Sequence, residues 1–261
     1  MEGALAPQVT ERWSADALSR VAAGEELREW FPRTPRSSFA SLDPNDPATW
    51  KWTRATLTGR RRANLANEAP RAWEAICALM GGEHRVRTRE ITDYLILSFP
   101  SQRIPTWTSR IRKLLLEKSP WSPMNFHLDD PDTKMGLDGW TNALLMVVLF
   151  SDITPRGGGT LLACDSPALV ARRLAEGEVD FTTNDELKTI VRRCSDFQEV
   201  EGKAGDMLLL HPFLLHSATK NHGDCVRILA NPMIESRTPL HFATGTRVLS
   251  PVEEITQSWL R

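Results

Sequence analysis

TNALLMVVLFSDITPRGGGTLLACD, residues 141–165, holds an apolar run, a turn and a second apolar run. The first run, Ala143 to Phe150, is continuous and bounded by polar residues, as expected of a strand buried on both faces. Pro155 and the glycines 157–159 then force a turn. TLLACD reads as a short second strand. Ser166 and Pro167 predict the N-cap and first position of a helix over PALVARRLAEG.

Further along, a helix is predicted over Asp185–Cys194. FQEVEG, DMLLLHPF (after the Gly205–Asp206 turn) and CVRILANPMI read as short strands. Ser250-Pro-Val-Glu253 is a capping box for a last helix. Upstream, ITDYLILSF at 91–99 is rich in β-formers. Several short strands separated by turns predict a mainly β fold with flanking helices, a sandwich or jelly roll rather than a βαβ array.

Residues 1–85 read as mainly helical. Ser14 is taken as an N-cap before ADALSRVAAG and Gly24 as its stop. In PRAWEAICALMGG, Trp73, Ile76, Cys77 and Met80 share one helical face, and Gly81–Gly82 end it. The Pro-, Trp- and Arg-rich stretch 32–62 reads as loop with short helical turns. The chain is therefore expected to be one domain, 1–261. A helical region, 1–85, would pack on a β core, 90–235, with a tail at 236–261 carrying a short helix.

The 261 residues are 41% hydrophobic and 25% charged, with net charge −1. That is ordinary for a soluble chain with a sizeable core and gives no global pull towards nucleic acid or an anionic membrane. Clusters such as Arg60–Arg62, Arg172–Arg173 and Arg192–Arg193 read as solvated faces. The longest apolar run is far short of the roughly 20 residues that span a bilayer. MEGALAPQVTERW lacks a basic segment followed by an apolar run, so no secretory signal is expected. Cys77, Cys164, Cys194 and Cys225 form no CxxC pair, and free thiols in a reducing cytoplasm fit best.

Two short motifs carry metal chemistry. His127 and Asp129 lie at positions i and i+2 of MNFHLDDPDTK, on a stretch that reads as extended, so both side chains share a face. His222 and Asp224 repeat the pattern in TKNHGDC, a turn-like context without extended flanks, and read as a surface loop. With six His and 33 acidic residues, about one such match arises by chance. What favours the first pair is its company. His211 and His216 sit on or after an apolar strand about 90 residues later, and Arg227 lies in the next. A hairpin between those strands is expected to bring Arg227 beside a site holding His216. A buried arginine there needs an anion, and its fork suits a carboxylate. Two His, one carboxylate and open positions make the facial triad of non-haem Fe(II) oxygenases. The plainer alternative is that His127 caps a strand end and His216 is a satisfied core histidine.

FHLDDP, then ALLMVVLFSDITPRGGGTLLACDSPALVAR, then GKAGDMLLLHPFLLHSATKN and VRILANP resemble the phytanoyl-CoA dioxygenase family of Fe(II)- and 2-oxoglutarate-dependent oxygenases. The likeness spans about residues 120–235. It implies a double-stranded β-helix (jelly roll) with iron at one open end. His127, Asp129 and His216 match the ligands. Arg227 matches the arginine that binds the far carboxylate of 2-oxoglutarate, and its spacing favours His216 over His211. Where family members often carry a hydroxyl two positions after the distal His, this chain has Ala218, leaving Ser217 or Thr219 as substitutes. Thr160 and Asn142 become candidates for bonds to cosubstrate or substrate, though a turn hydroxyl and a strand-start amide explain them as well.

The implied reaction consumes O2 and 2-oxoglutarate, releases succinate and CO2, and oxidises a substrate C–H bond, usually by hydroxylation. An aspartate at 129 argues against a related halogenase. Trp140, with Trp107 and Trp121, is a candidate to line a pocket for a small organic substrate. Arg110, Arg112 and Lys113 form a basic run that suits phosphates or a solvated face. A protein hydroxylase on the same fold and a catalytically silent binding jelly roll are the alternatives. The oligomeric state is not legible.

Overall fold

The computed structural model describes residues 1–23, 43–50, 54–100, 126–129, 134–180, 185–242 and 248–261. Gly24, Trp107, Trp121 and the Arg110–Lys113 run fall outside them. The strands are β1 (Arg54–Leu57), β2 (Arg62–Asn64), β3 (Glu90–Thr92), β4 (Leu95–Ser98) and β5 (Lys134–Met135). Then come β6 (Asn142–Leu149), β7 (Thr160–Ala163), β8 (Val179–Asp180) and β9 (Phe197–Glu199). The last are β10 (Met207–Leu210), β11 (His216–Ala218), β12 (Arg227–Ala230) and β13 (Met233–Glu235). The α-helices are α1 (Pro7–Ala22), α2 (Leu65–Glu68), α3 (Pro70–Met80), α4 (Ser166–Ala175), α5 (Asp185–Arg193) and α6 (Pro251–Ser258).

The architecture is a jelly roll with flanking helices. A major antiparallel sheet runs β1-β4-β12-β6-β10, with β13 also paired to β6. A minor sheet runs β11-β7-β9. The 141–165 stretch links the two. All eight residues of β6 are buried, the glycine turn follows, and β7 enters the minor sheet. Gly159 is required by crowding, because a Cβ there would stand 1.9 Å from the Val200 carbonyl oxygen.

Alternation along the major sheet divides two apolar clusters. Leu95, Leu97, Met146, Val148, Ile228 and Ala230 join the large core that includes Trp13 of α1 and Trp73 and Ile76 of α3. Ile96, Val147, Leu149 and Leu229 form a smaller cluster with Leu162 of the minor sheet. Period-2 geometry produces this split: neighbours along a strand face opposite ways, and residues paired across strands face the same way. Burying each Leu or Ile contributes roughly 1.5–3 kcal/mol.

Several local expectations are corrected. Helix α1 begins at Pro7, a good first helical residue, so Ser14 is interior; its hydroxyl faces the carbonyls of Thr10 and Phe150. Ser166 is already helical and does not cap, because its Oγ accepts the Leu215 N–H at 2.8 Å. The stretch 32–62 contains β1, which pairs with β4 in the major sheet, so the region before residue 85 supplies an edge strand as well as helices. ITDYLILSF breaks at Asp93, whose carboxylate accepts the Arg60 and Arg61 N–H groups, and its halves join different sheets. CVRILANPMI breaks at Pro232, which lacks an N–H for the ladder.

Other features agree with the sequence. Helix α3 ends at Gly81 in the left-handed conformation, φ 78°. The Ser250–Glu253 capping box is present, and Arg85 Nη2 bonds Glu253 Oε2 at 2.7 Å, tying α6 to the turn after α3. All four cysteines are free. Among the described residues no helix is long and apolar enough to cross a membrane.

Candidate metal centre

His127 and His216 form a two-residue antiparallel bridge. His127 N–H donates to the His216 carbonyl at 3.0 Å and His216 N–H to the His127 carbonyl at 3.2 Å. Their imidazoles therefore project to the same side, with ring centroids 4.4 Å apart. Asp129, two residues beyond His127, brings its Oδ1 to 3.5 Å from each Nε2. One ligand atom from each of the three residues lies within 4.8 Å of the others, a set that could hold one metal ion. The sequence pairing of His127 with Asp129 thus joins a third group about 90 residues away.

Protonation chemistry tests the fit. His216 Nδ1 lies 3.1 Å from the Leu214 carbonyl, which can only accept, so that nitrogen carries the proton. In the neutral ring Nε2 then presents a lone pair. It is buried, makes no hydrogen bond, and faces a carboxylate oxygen that also presents lone pairs. Two acceptors held face to face repel unless a cation lies between them. The bond to a backbone carbonyl also orients the ring as metal-ligating histidines are commonly oriented. Burial by itself would raise the Asp129 pKa; with a proton on the facing imidazoles, their hydrogen bonds and charge outweigh it and hold the carboxyl well below the usual range, the proton then occupying the place a metal cation would take. Asp129 is therefore ionised and ready to ligate.

Arg227 lies across the cavity, on the inward face of β12 and 3% exposed. The expected hairpin is absent. Strand β11 belongs to the minor sheet and β12 to the major sheet, so the arginine reaches the site from the opposite wall. Asn221 holds the crossing, donating from Nδ2 to the Ser98 and Cys225 carbonyls at 2.9 and 2.8 Å. The guanidinium donates only weakly to the Ile96 carbonyl, at 3.3 Å, and its Nε makes no hydrogen bond. Burial pushes its pKa down to about 9, with repulsion from Arg54 adding to the effect and Glu199 opposing it.

His127, His216, Thr160, Ala218, Arg227, Ile96, Leu229, Asn231 and Arg54 line one narrow cavity. Thr160 pairs with Ala218 across β7 and β11 and faces inward with it. Asn142 is buried but supports Asp129 from behind, its Nδ2 3.4 Å from the Asp129 carbonyl, and does not line the cavity. Trp140 is not at the cavity either. It is 2% exposed, donates from Nε1 to the Gly136 carbonyl at 2.9 Å and packs edge-on against Phe213. It packs within the large apolar core. His211 lies elsewhere, its Nε2 2.8 Å from Thr256 Oγ1 of α6, and burial pushes its pKa down to about 3. His222 and Asp224 sit in the loop before β12, as expected.

Neither proposed substitute for a hydroxyl at 218 reaches the cavity. Thr219 Oγ1 donates to the Gly159 carbonyl at 2.6 Å and lies 3.0 Å from Glu199, while Ser217 alternates to the other face of β11. The residue that sequence reasoning missed is Arg54. It lay in a stretch with no legible strand pattern, and only pairing with β4 aims it inward.

No family model matches this chain, and no curated protein matches it. Solved structures similar to it include the non-heme alpha-ketoglutarate-dependent carbocyclase SnoK from nogalamycin biosynthesis, 15% identical, covering 89% of this chain and 76% of that one, TM-score 0.46. The epimerase SnoN from the same biosynthesis is 16% identical, covering 91% and 77%, TM-score 0.47. HygX from Streptomyces hygroscopicus, with nickel and 2-oxoglutarate bound, is 16% identical, covering 91% and 81%, TM-score 0.43. Likeness of this degree does not carry an activity across, so function rests on the geometry of the site itself.

Proposed function

We propose that this chain is an Fe(II)- and 2-oxoglutarate-dependent dioxygenase that oxidises a C–H bond of a small organic substrate. The observation that carries the reading is the convergence of one ligand atom each from His127, Asp129 and His216 to within 4.8 Å of one another, with a buried guanidinium opposite. His127, Asp129 and His216 would hold the iron. A facial set of three leaves positions for a bidentate 2-oxo acid and for O2. When iron is bound, such a centre couples oxidative decarboxylation of 2-oxoglutarate to oxygen insertion, so that R–H, O2 and 2-oxoglutarate give R–OH, succinate and CO2.

The protein's own contribution is positioning. Arg227 offers two parallel N–H donors to the far carboxylate of the cosubstrate and fixes which end points at the ligands. Ile96 and Leu229 give that carboxylate a dry wall, which strengthens the pairing. The free space measures about 20 Å³, roughly one water, so binding a dicarboxylate requires the lining side chains to rearrange around it. Thr160 presents a hydroxyl on the facing wall, beside Ala218, and can donate to the cosubstrate.

The test is anaerobic addition of Fe(II) and 2-oxoglutarate, watched for the weak visible charge-transfer band of a chelated 2-oxo acid. The wild-type chain should give it. His127→Ala and Asp129→Ala should lose it while circular dichroism shows an intact fold. A band unchanged in those variants overturns the assignment.

A further inference from the structure

Arg54 and Arg227 occupy one rung of the major sheet. Ser98 of β4 pairs with Arg54 on one side and with Arg227 on the other. Residues paired across an antiparallel ladder project to the same face, so both guanidinium side chains enter the cavity that His127 and His216 also line. Two strand spacings place their Cα atoms about 10 Å apart, a gap that two arginine side chains can close on one small anion between them. Building on the dioxygenase reading above, we propose that Arg54 is a second guanidinium for the cosubstrate's far carboxylate. It would grip that group from the opposite side of Ser98 to Arg227.

Charge and hydrogen-bonding capacity support this placement. Arg227 forms no ion pair among the described residues, and Arg54 raises the cost of its charge. The Arg54 pKa is itself lowered to about 10 by burial, with Tyr94 and Asp129 opposing the shift. Lys220 is also pushed down, by burial and then by Arg54. Two like charges directed into one dry cavity repel each other, and an anion held between them relieves both. A carboxylate has about four lone-pair sites, enough for two arginines at once. Ala218 on the facing wall supplies no donor and its neighbour Thr160 only a neutral hydroxyl, so the charged donors come from β1 and β12. The arrangement makes the site selective for a dianionic 2-oxo acid over a monoanionic one.

The experiment compares 2-oxoglutarate with 2-oxopentanoate, which has the same carbon chain but a methyl in place of the far carboxylate. Anaerobic Fe(II) protein is titrated with each acid by the charge-transfer band and by calorimetry, in wild type, Arg54→Met and Arg54→Lys. Arg54→Met should weaken 2-oxoglutarate by about tenfold or more, the size of a lost charge-assisted hydrogen bond. It should leave 2-oxopentanoate within about twofold and Fe(II) affinity unchanged, and Arg54→Lys should recover part of the loss. Equal weakening of both acids, or no weakening of either, overturns the proposal. A wild-type protein that binds Fe(II) but gives no band with either acid overturns the dioxygenase reading itself.

Discussion

The two faces of the major sheet are built from alternate residues of the same strands, yet they serve opposite ends. On β12, Ile228 and Ala230 enter the large core, while Arg227 and Leu229 enter the small inner cluster and the cavity. On β4, Leu95 and Leu97 face the large core, and Ile96 and Ser98 face the cavity side. The outer face is apolar and closely packed against α1 and α3. The inner face carries two arginines and looks across the cavity at His216 of the minor sheet, with His127 and Asp129 beside it, groups that are each costly to desolvate. The lesson is that stability and chemistry are separated here by one step along a strand. A one-residue register slip would exchange them.

Crossed substitutions, one on the outer face and one at the site opposite the inner face, test that separation most severely. Leu97→Ala on the outer face should cost about 2–5 kcal/mol of unfolding free energy. Below the melting temperature its Fe(II) affinity should match wild type. Asp129→Asn should do the reverse. An amide can donate to a neighbouring imidazole, so the metal-free protein should keep its stability. Its Fe(II) affinity should fall on the order of 100-fold, since even groups that merely orient a ligand commonly cost 10–100-fold. Chemical denaturation and metal titration on both variants decide the matter. A Leu97→Ala protein that folds but cannot bind iron would erase the distinction.

Arg227→Met should show a smaller version of the same trade. Removing a buried, poorly partnered cation should leave metal-free stability equal or higher. Binding of 2-oxoglutarate should weaken roughly 10–100-fold, as expected for a charge-assisted pair. A fall in melting temperature with unchanged cosubstrate binding would assign Arg227 to structure alone.

At neutral pH the smallest effect concerns two histidines with different duties, one of which matters only as the solution becomes acid. His216 presents its lone pair to a prospective metal, whereas His211 is held neutral beside α6. The pKa of His211 is depressed from 6.5 to about 3, so below its ordinary value the unfolded chain takes up a proton that the folded chain refuses. Stability from this group is full above about pH 6.5 and falls as the pH drops towards 3, by up to about 1.4 kcal/mol per pH unit. His211→Gln should flatten the stability profile by that slope over this window. An equally steep profile in the variant would locate the acid sensitivity elsewhere.

Much of this molecule was legible before any coordinates. The run at 143–150 is too long, too apolar and too uninterrupted to be anything but a doubly buried element, and the glycines after it allow only a turn. The capping box at Ser250 and the glycine stop at Gly81 are local chemistry, complete within four or five residues. His127 and Asp129 share a face by strand geometry alone. The caps at Ser14 and Ser166 misled for a related reason. A hydroxyl before a helical pattern looks the same whether it bonds its own helix or, as at Ser166, a backbone group 49 residues distant in the chain.

What the amino-acid order determined by itself is therefore whatever periodicity and short-range hydrogen bonding can encode. That comprises the β-rich core, some of the element boundaries and two of the three proposed metal ligands. The choice of His216 over His211 rested on likeness to a family, and the His127–His216 bridge gave it a physical basis. Only the tertiary structure moved Arg227 to the opposite wall, sent Trp140 into the core and brought Arg54 to the same rung as Arg227. Those outcomes depend on which strands pair across long stretches of chain, and pairing is decided by the summed burial of both sheet faces rather than by any local pattern.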